Sequence, residues 1–306
     1  PSVADPAACV EVDFTLARVS NDDFELIVIT DTHLTAASAA QAPALFADCC
    51  IPDINSYIAE VKASGRPAYL INLGDLVAAN YRNRVTLEDA AELLRQIKCP
   101  IFNLPGNHEL NDYVLYPDMD SEEAMTEIRR YQETMGPLYY SVNLGRAHLV
   151  VLNPCVRTAG ESQMSYSVSK EQLAWLRKDL ALVEDKTAPL LLAVHTPIYS
   201  YNDDTYGRFW LPNGAEVIEC FREFSNIHIL TGHTHRMYTS VLENGRITEH
   251  NYNTWGGTSG HWTTWRLPTL LAQRRQGINT DGSPASYGTL SFSGDRVVDY
   301  CVKGVN

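Results

Sequence analysis

No apolar stretch in this 306-residue chain approaches the roughly 18 to 20 residues that a membrane-spanning helix requires; the longest, at 189–194, is only strand-sized. Positive charge is scarce as well. The 24 Lys and Arg stand against 37 Asp and Glu, a formal charge of −13. That balance excludes partners bound chiefly through phosphate contacts along a nucleic-acid polymer, which need a Lys/Arg surface. There is no C-x-x-C pair. The seven cysteines (Cys9, Cys49, Cys50, Cys99, Cys155, Cys220, Cys301) are scattered and odd in number, so neither a disulfide framework nor a zinc knuckle is indicated and the redox compartment stays open. Repeats and low-complexity linkers are also missing. What remains is a chain with 45% hydrophobic and 20% charged residues, a globular composition long enough for one large α/β domain or one domain plus a small appendage.

The segment 25–30 (ELIVIT) is an apolar, β-branched run of the length of a buried strand, and 68–72, 101–104, 190–194 and 227–231 read the same way. Helical patterns lie between them. Thr86 is placed to N-cap a helix over 87–98 with an acidic first turn, and Ser169 with Gln172 three residues on resembles a capping box before 173–182. Alternating strands and helices imply a central sheet layered by helices. Segments 139–144 and 148–152 flank Gly145-Arg146, and a second hairpin is expected at Asn244-Gly245, so the sheet structure should be mixed rather than wholly parallel. From about Tyr252 the texture changes to crowded Trp and Gly, then a polar stretch, then a strand pair around Ser293-Gly294-Asp295.

The chemistry sits where the strands end. Asp31-Thr32-His33 follows the first strand, Gly74-Asp75 the second, Gly106-Asn107-His108-Glu109 the third, His195 the 190–194 strand, and Gly232-His233-Thr234-His235 the 227–231 strand. In open α/β sheets the carboxyl ends of strands form the rim where ligands bind, so these residues should converge. Composition alone would produce Gly-Asn-His only about 0.03 times and Gly-His-x-His about 0.015 times, so the set is not accidental. The other histidines (His148, His228, His250, His261) lack such support and read as packing residues. Two divalent ions roughly 3.5 to 4 Å apart need a ligand that bridges them and terminal oxygen and imidazole ligands. Asp75 is the natural bridge. Asn107 offers a carbonyl oxygen, while His33, His195, His233 and His235 offer nitrogens suited to Zn, Fe, Mn or Co rather than Mg or Ca.

The ordered set D-x-H, G-D, G-N-H-E, a lone H after a strand, and G-H-T-H, spanning Asp31 to His235, resembles the calcineurin-like metallophosphoesterase superfamily. The resemblance implies a four-layer αββα sandwich of two mixed sheets flanked by helices. With the residue pattern this gives a lead segment 1–24, a metallophosphoesterase domain 25–251, and a C-terminal β-rich extension 252–306 packed on the same domain, one continuous domain being the default. The resemblance places one of two divalent or trivalent metal ions (Mn, Fe or Zn) on Asp31, His33, Asp75 and His235, and the other on Asp75, Asn107, His195 and His233. His108 is implied not as a ligand but as the general acid, assisting the leaving oxygen while a metal-bridged hydroxide attacks phosphorus.

Departures from relatives narrow the expected substrate. Protein Ser/Thr phosphatases of the superfamily carry an Asp and an Arg where this chain has Ala78 and Ala79, and an Arg before G-N-H where it has Pro105. Missing arginines count against phosphoprotein hydrolysis, because a dianionic phosphate gains most from such forks. Purple acid phosphatases have a metal-binding Tyr at the place of Val77, so a Tyr-ligated ferric site is not supported. The expectation is a phosphodiesterase or phosphatase on small substrates such as nucleotides, with Arg208, Tyr199 and Trp255 as candidate substrate contacts and no nucleic-acid polymer as partner. A catalytically silent binding scaffold is the alternative from another class, although such members typically lose ligands and this chain keeps them all; a metallo-oxidoreductase fits the motif order poorly. The chain begins with Pro1, and its tail resembles the C-terminal segment of some exported bacterial members, so a periplasmic or secreted location is expected, with a cytoplasmic one as the alternative.

Overall fold

The computed structural model describes residues 22–36, 42–78, 85–110, 121–156, 165–199, 210–235, 238–252 and 286–304. Two mixed β-sheets lie face to face. The first has strand order β13-β12-β1-β2-β3, built from β1 (Asp23–Ile29), β2 (Ala68–Asn72), β3 (Ile101–Asn103), β12 (Ser286–Ser293) and β13 (Arg296–Gly304). The second runs β10-β11-β9-β8-β5-β4, from β4 (Tyr140–Leu144), β5 (Ala147–Leu152), β8 (Leu190–Val194), β9 (Ile227–Thr231), β10 (Tyr238–Leu242) and β11 (Ile247–Asn251). A short hairpin of β6 (Cys155–Val156) and β7 (Ser165–Tyr166) stands apart from both.

The period-two alternation of strands explains the layering. Phe24, Leu26 and Val28 of β1 pack with Leu149, Val151, Leu191, Ala193 and Leu230 of the second sheet, forming the core between the sheets. The intervening Ile27 and Ile29 instead meet Ile54, Ile58 and Val61 of α2 (Ile51–Ala63) and Ala90 and Leu94 of α3 (Leu87–Leu94). On the far side, Val150, Leu190, Leu192 and Val194 pack on Leu173, Leu176 and Leu180 of α5 (Lys170–Ala181) and on Val217 of α6 (Gly214–Cys220). Strands buried on both faces read as continuous apolar runs, which is why they were visible in the sequence. The architecture is therefore the αββα sandwich expected.

Several local devices set the element ends. Thr86 accepts from Asp89 N while Asp89 accepts from Thr86 N, a complete capping box for α3. That helix stops at Leu94 rather than running to residue 98: Gln96 and Ile97 close tighter turns on Leu93 and Leu94, and Asn55 of α2 captures Gln96 O and Lys98 N. Ser169 caps α5 through Gln172 N, but the reciprocal half of the expected box is not made. The Gln172 side chain turns inward and pairs with both backbone groups of Asn153. Gly145 takes a positive φ of 58° at the first position of the two-residue β4–β5 turn, as a type II′ hairpin requires.

The C-terminal strand pair is an integral part of the first sheet. β12 pairs antiparallel with β1 over Asp23–Val28, and Phe292 stacks on Phe24 with ring centroids 4.3 Å apart. β1, β2 and β3 run parallel, as do β5, β8, β9 and β11, so the carboxyl ends within each parallel set lie along one edge. Among the described residues no helix is long and apolar enough to cross a membrane, and Cys49, Cys99 and Cys220 carry free thiols.

Candidate metal centre

The strand-end residues meet at one rim. Two overlapping groups form, Asp31, His33, Asp75 and His235 in one and Asp75, His195 and His233 in the other, with the potential donor atoms of each within 4.8 Å of one another. Asp75 belongs to both. Its Oδ2 lies 3.3 Å from His195 Nε2, 3.8 Å from His33 Nε2 and 3.8 Å from His108 Nε2, while its Oδ1 accepts from His108 N at 2.9 Å. Asp31 divides its oxygens similarly: Oδ2 accepts from the Thr30 hydroxyl and His233 N, leaving Oδ1 3.1 Å from His235 Nε2 and 3.7 Å from His33 Nε2. Asn107 joins the second group through Oδ1, 3.1 Å from His195 Nε2.

The backbone is bent hard to achieve this. Asp31, His33, Asp75, His233 and His235 all have φ between 47° and 63°, a left-handed conformation costing non-glycine residues on the order of 1 kcal/mol each and typical of functional sites. The neighbouring glycines make room. A Cβ on Gly74 would strike the backbone of Gly106, and one on Gly106 would strike the Asp75 side chain. Glycine is thus needed here for the approach of one loop to another.

His195 shows what the site is built to hold. Its Nδ1 donates to Leu73 O at 2.7 Å, so Nε2 is the nitrogen presented to Asp75 Oδ2 and Asn107 Oδ1. An imidazole lone pair facing two oxygens is stable only with a proton or a cation between them. Accordingly, although burial opposes charge on the ring, Asp75 beside it raises His195 to about 10. Burial alone would lift the two carboxyls, yet the imidazoles outweigh it, His235 foremost for Asp31 and His195 for Asp75, and hold both well below the usual range. Burial pushes His108 down to about 4 against the pull of Asp75, and His233 down to about 3. A set of buried carboxylates and imidazoles with mixed oxygen and nitrogen donors fits two transition-metal ions.

Two residues around the centre were not assigned a role from the sequence. Glu109, quoted only as part of a motif, is buried and accepts from Asp75 N, Gly106 N and Val77 N at 2.8, 2.8 and 3.2 Å, joining the loops after β2 and β3. Burial and the nearby Asp75 raise its carboxyl to about 7. Tyr166, on β7, lays its ring against His233 with centroids 4.9 Å apart. Among the candidate substrate contacts, Tyr199 packs on the helix-facing core of the second sheet, whereas Arg208 and Trp255 lie outside the described residues. His148 is held by Asn143 and Asp179, and His228 stacks on His250 in the sheet interior, consistent with packing roles; His261 lies outside the described residues.

This combination of a two-sheet sandwich and a strand-end carboxylate–imidazole cluster defines a metallophosphoesterase. The calcineurin-like phosphoesterase family model matches residues 24–237, and the chain belongs to that family. It is similar to purple acid phosphatase 15 of Arabidopsis thaliana, 33% identical over 108 residues covering 34% of this chain and 18% of that protein. The chain thus matches less than a fifth of that relative's length. In fold it is similar to a dimetal phosphatase from Danio rerio (TM-score 0.55, 13% identity, 92% of this chain and 99% of the other). It is likewise similar to purple acid phosphatase PPD1 from yellow lupin (TM-score 0.53, 13% identity, 92% and 54%). Val77 is fully buried in the core that packs on α2.

Proposed function

We propose that this chain is a binuclear metal-dependent phosphoesterase acting on small phosphodiesters or phosphomonoesters such as nucleotides. The observation that carries this reading is the pair of donor groups sharing Asp75. One ion would be held by Asp31, His33, Asp75 and His235, the other by Asp75, Asn107, His195 and His233. When bound, two such ions supply a water acidic enough to be a nucleophile near neutral pH and offset charge on the phosphoryl oxygens.

The chain's own residues do the rest. Thr30 and His233 N fix one oxygen of Asp31, so that the other points into the centre. Leu73 O sets the tautomer and orientation of His195. His108 is half-buried beside Asp75 with its ring edge-on to His33, 4.6 Å between centroids, so it faces both the centre and the solvent from which a substrate arrives. It protonates the leaving oxygen as the P–O bond breaks, a role worth roughly 10² to 10⁴ in rate. Burial disfavours the imidazolium form, and the negative phosphoryl oxygens of a substrate favour it. A net charge of −13 leaves the phosphate to be held mainly by the metals, which supports small substrates over polymers.

The test is turnover of a nitrophenyl phosphodiester and the matching monoester by metal-stripped protein reloaded with Mn, Zn or Fe. Hydrolysis with at least one metal and none without is the expected result. Failure with every metal on both esters would transfer the chain to the binding-scaffold reading.

A further inference from the structure

β11 is a central strand of the second sheet that carries no candidate ligand, and its helix-facing side changes character along its length. Ile247, Glu249 and Asn251 alternate on that face. Ile247 belongs to the helix-facing core, whereas Glu249 and Asn251, at the rim end, are fully buried polar groups. Burying a carboxylate and an amide is costly unless each is hydrogen-bonded, and their side-chain bonds among the described residues go to the end of β9 and to the loops that bear imidazoles of the centre. Glu249 Oε1 accepts from Ile198 N at 2.8 Å, and the carboxylate also meets Tyr199 N at 3.3 Å, both in the segment that follows His195. Asn251 Nδ2 donates to Thr231 Oγ1 at 2.7 Å and to Gly232 O at 2.9 Å, and its Oδ1 accepts from Thr234 Oγ1 at 2.7 Å. Those three partners bracket His233 and lead directly into His235.

We propose that β11 is the positioning strand of the metal centre, with Glu249 fixing the loop of His195 and Asn251 fixing the loop of His233 and His235. This rests on the binuclear reading above. Neither side chain belongs to a donor group; each holds the backbone on which candidate ligands turn, and Asn251 does so for one imidazole of each donor group. Burial raises the Glu249 carboxyl to about 7 against its backbone partners, the mark of a group kept at a cost. A purely apolar face would pack here without that penalty but would leave the two loops without these partners.

Titration of metal-stripped protein with cobalt(II), followed by its visible absorption, reads the metal affinity directly, and the melting temperature without metal reads the fold. Wild type should take up two ions per chain. Losing outer-shell orientation typically costs 10- to 100-fold in metal affinity, so Asn251→Leu should weaken both ions by at least tenfold. Glu249→Leu should weaken chiefly the ion on His195, and Glu249→Gln, which keeps a carbonyl acceptor for Ile198 N, should stay within about threefold of wild type. If Asn251→Leu does not fold, Thr234→Val removes one of its bonds from the loop side and should cost severalfold in affinity. Unchanged cobalt affinity in the folded variants, or a lower melting temperature alone, overturns the proposal while leaving the binuclear reading intact. A wild-type chain that takes up no cobalt overturns both.

Discussion

Replacing Glu109 by Ala tests whether the centre is preorganised by its surroundings or assembled by the metals themselves. In the wild type one buried carboxylate accepts three backbone N–H groups, from Asp75, Val77 and Gly106. Alanine strands all three donors in a site closed to solvent, at about 1 to 3 kcal/mol each, and leaves a void where the carboxylate was. Part of that is offset, because a second negative charge beside Asp75 disappears. The net expectation is a loss of about 3 kcal/mol in the urea stability of the metal-free protein. Glu109→Gln keeps a carbonyl for two of the donors but turns an amide N–H toward the third, and should lose about 1 kcal/mol. Because the clamp holds Asp75, common to both donor groups, Glu109→Ala should also weaken binding of both metals by at least tenfold. A metal-free Glu109→Ala chain within 1 kcal/mol of wild type that binds two ions as tightly would refute the reasoning.

Asp75→Asn removes the carboxylate shared by the two groups and should reduce bound metal, by elemental analysis, to well below two per chain. His108→Gln should retain both metals and lose at least tenfold in turnover; unchanged turnover removes His108 from the mechanism. Away from the centre, burial depresses the pKa of His228 to about 4 and of His250 to about 3. Since both folded values lie below the unfolded value near 6.5, the stability they contribute is complete above pH 6.5 and is lost as pH falls toward 4 and 3. Urea unfolding of wild type against His228→Phe/His250→Leu should show their stability difference shifting by up to about 5 kcal/mol between pH 6.5 and 4.5 in favour of the variant. A constant difference would show that the pair is not buried neutral. Gly106→Ala should disturb Asp75 and lower metal occupancy without changing secondary structure by circular dichroism.

The sequence exposed those parts of the molecule in which side-chain type carries the information. The strands at 68–72, 190–194 and 227–231 were legible because burial on both faces demands mostly apolar residues. The ligand candidates were legible because rare residues recur at strand ends in a fixed order. What escaped was whatever depends on backbone acceptors or on distant pairings. Nothing in a leucine at position 73 announces that its carbonyl fixes His195, and nothing local marks Glu249 or Asn251 as loop anchors, since their partners lie 17 to 51 residues away. The helix α4 (Ser121–Thr134) was missed because SEEAMTEIRRYQET has few apolar residues to reveal a period. The end of α3 was misplaced because Asn55, on another helix, decides it.

The strained backbone and the anchors belong to one design. For Asp31, His33, Asp75, His233 and His235 to turn into the rim, the chain takes left-handed steps after β1, β2 and β9, which the isolated segments would not hold. Hydrogen bonding past the strand ends supplies part of the restraint: Leu73 N donates to Ile29 O, Asp31 N to Gly74 O, His33 N to Asp75 O and Leu34 N to Leu76 O, so the loops after β1 and β2 stay zipped together beyond the sheet. Gly232 N donates to His195 O and does the same between the loops after β8 and β9. Each restraint lies within one sheet. Across the two sheets, direct bonds at the rim among the described residues include His233 N to Asp31 Oδ2, His195 Nδ1 to Leu73 O, and side-chain contacts among the candidate ligands themselves. At the rim the two halves of the centre meet through Asp31, Asp75, the Leu73 carbonyl and the imidazoles facing them. It follows that metal binding should stiffen the junction between the sheets more than either sheet. Backbone amide order parameters should then rise on metal addition at Asp31, Asp75 and His233, while those of Ile27 and Leu192, deep in the two sheets, change little; a uniform rise throughout both sheets would contradict this division.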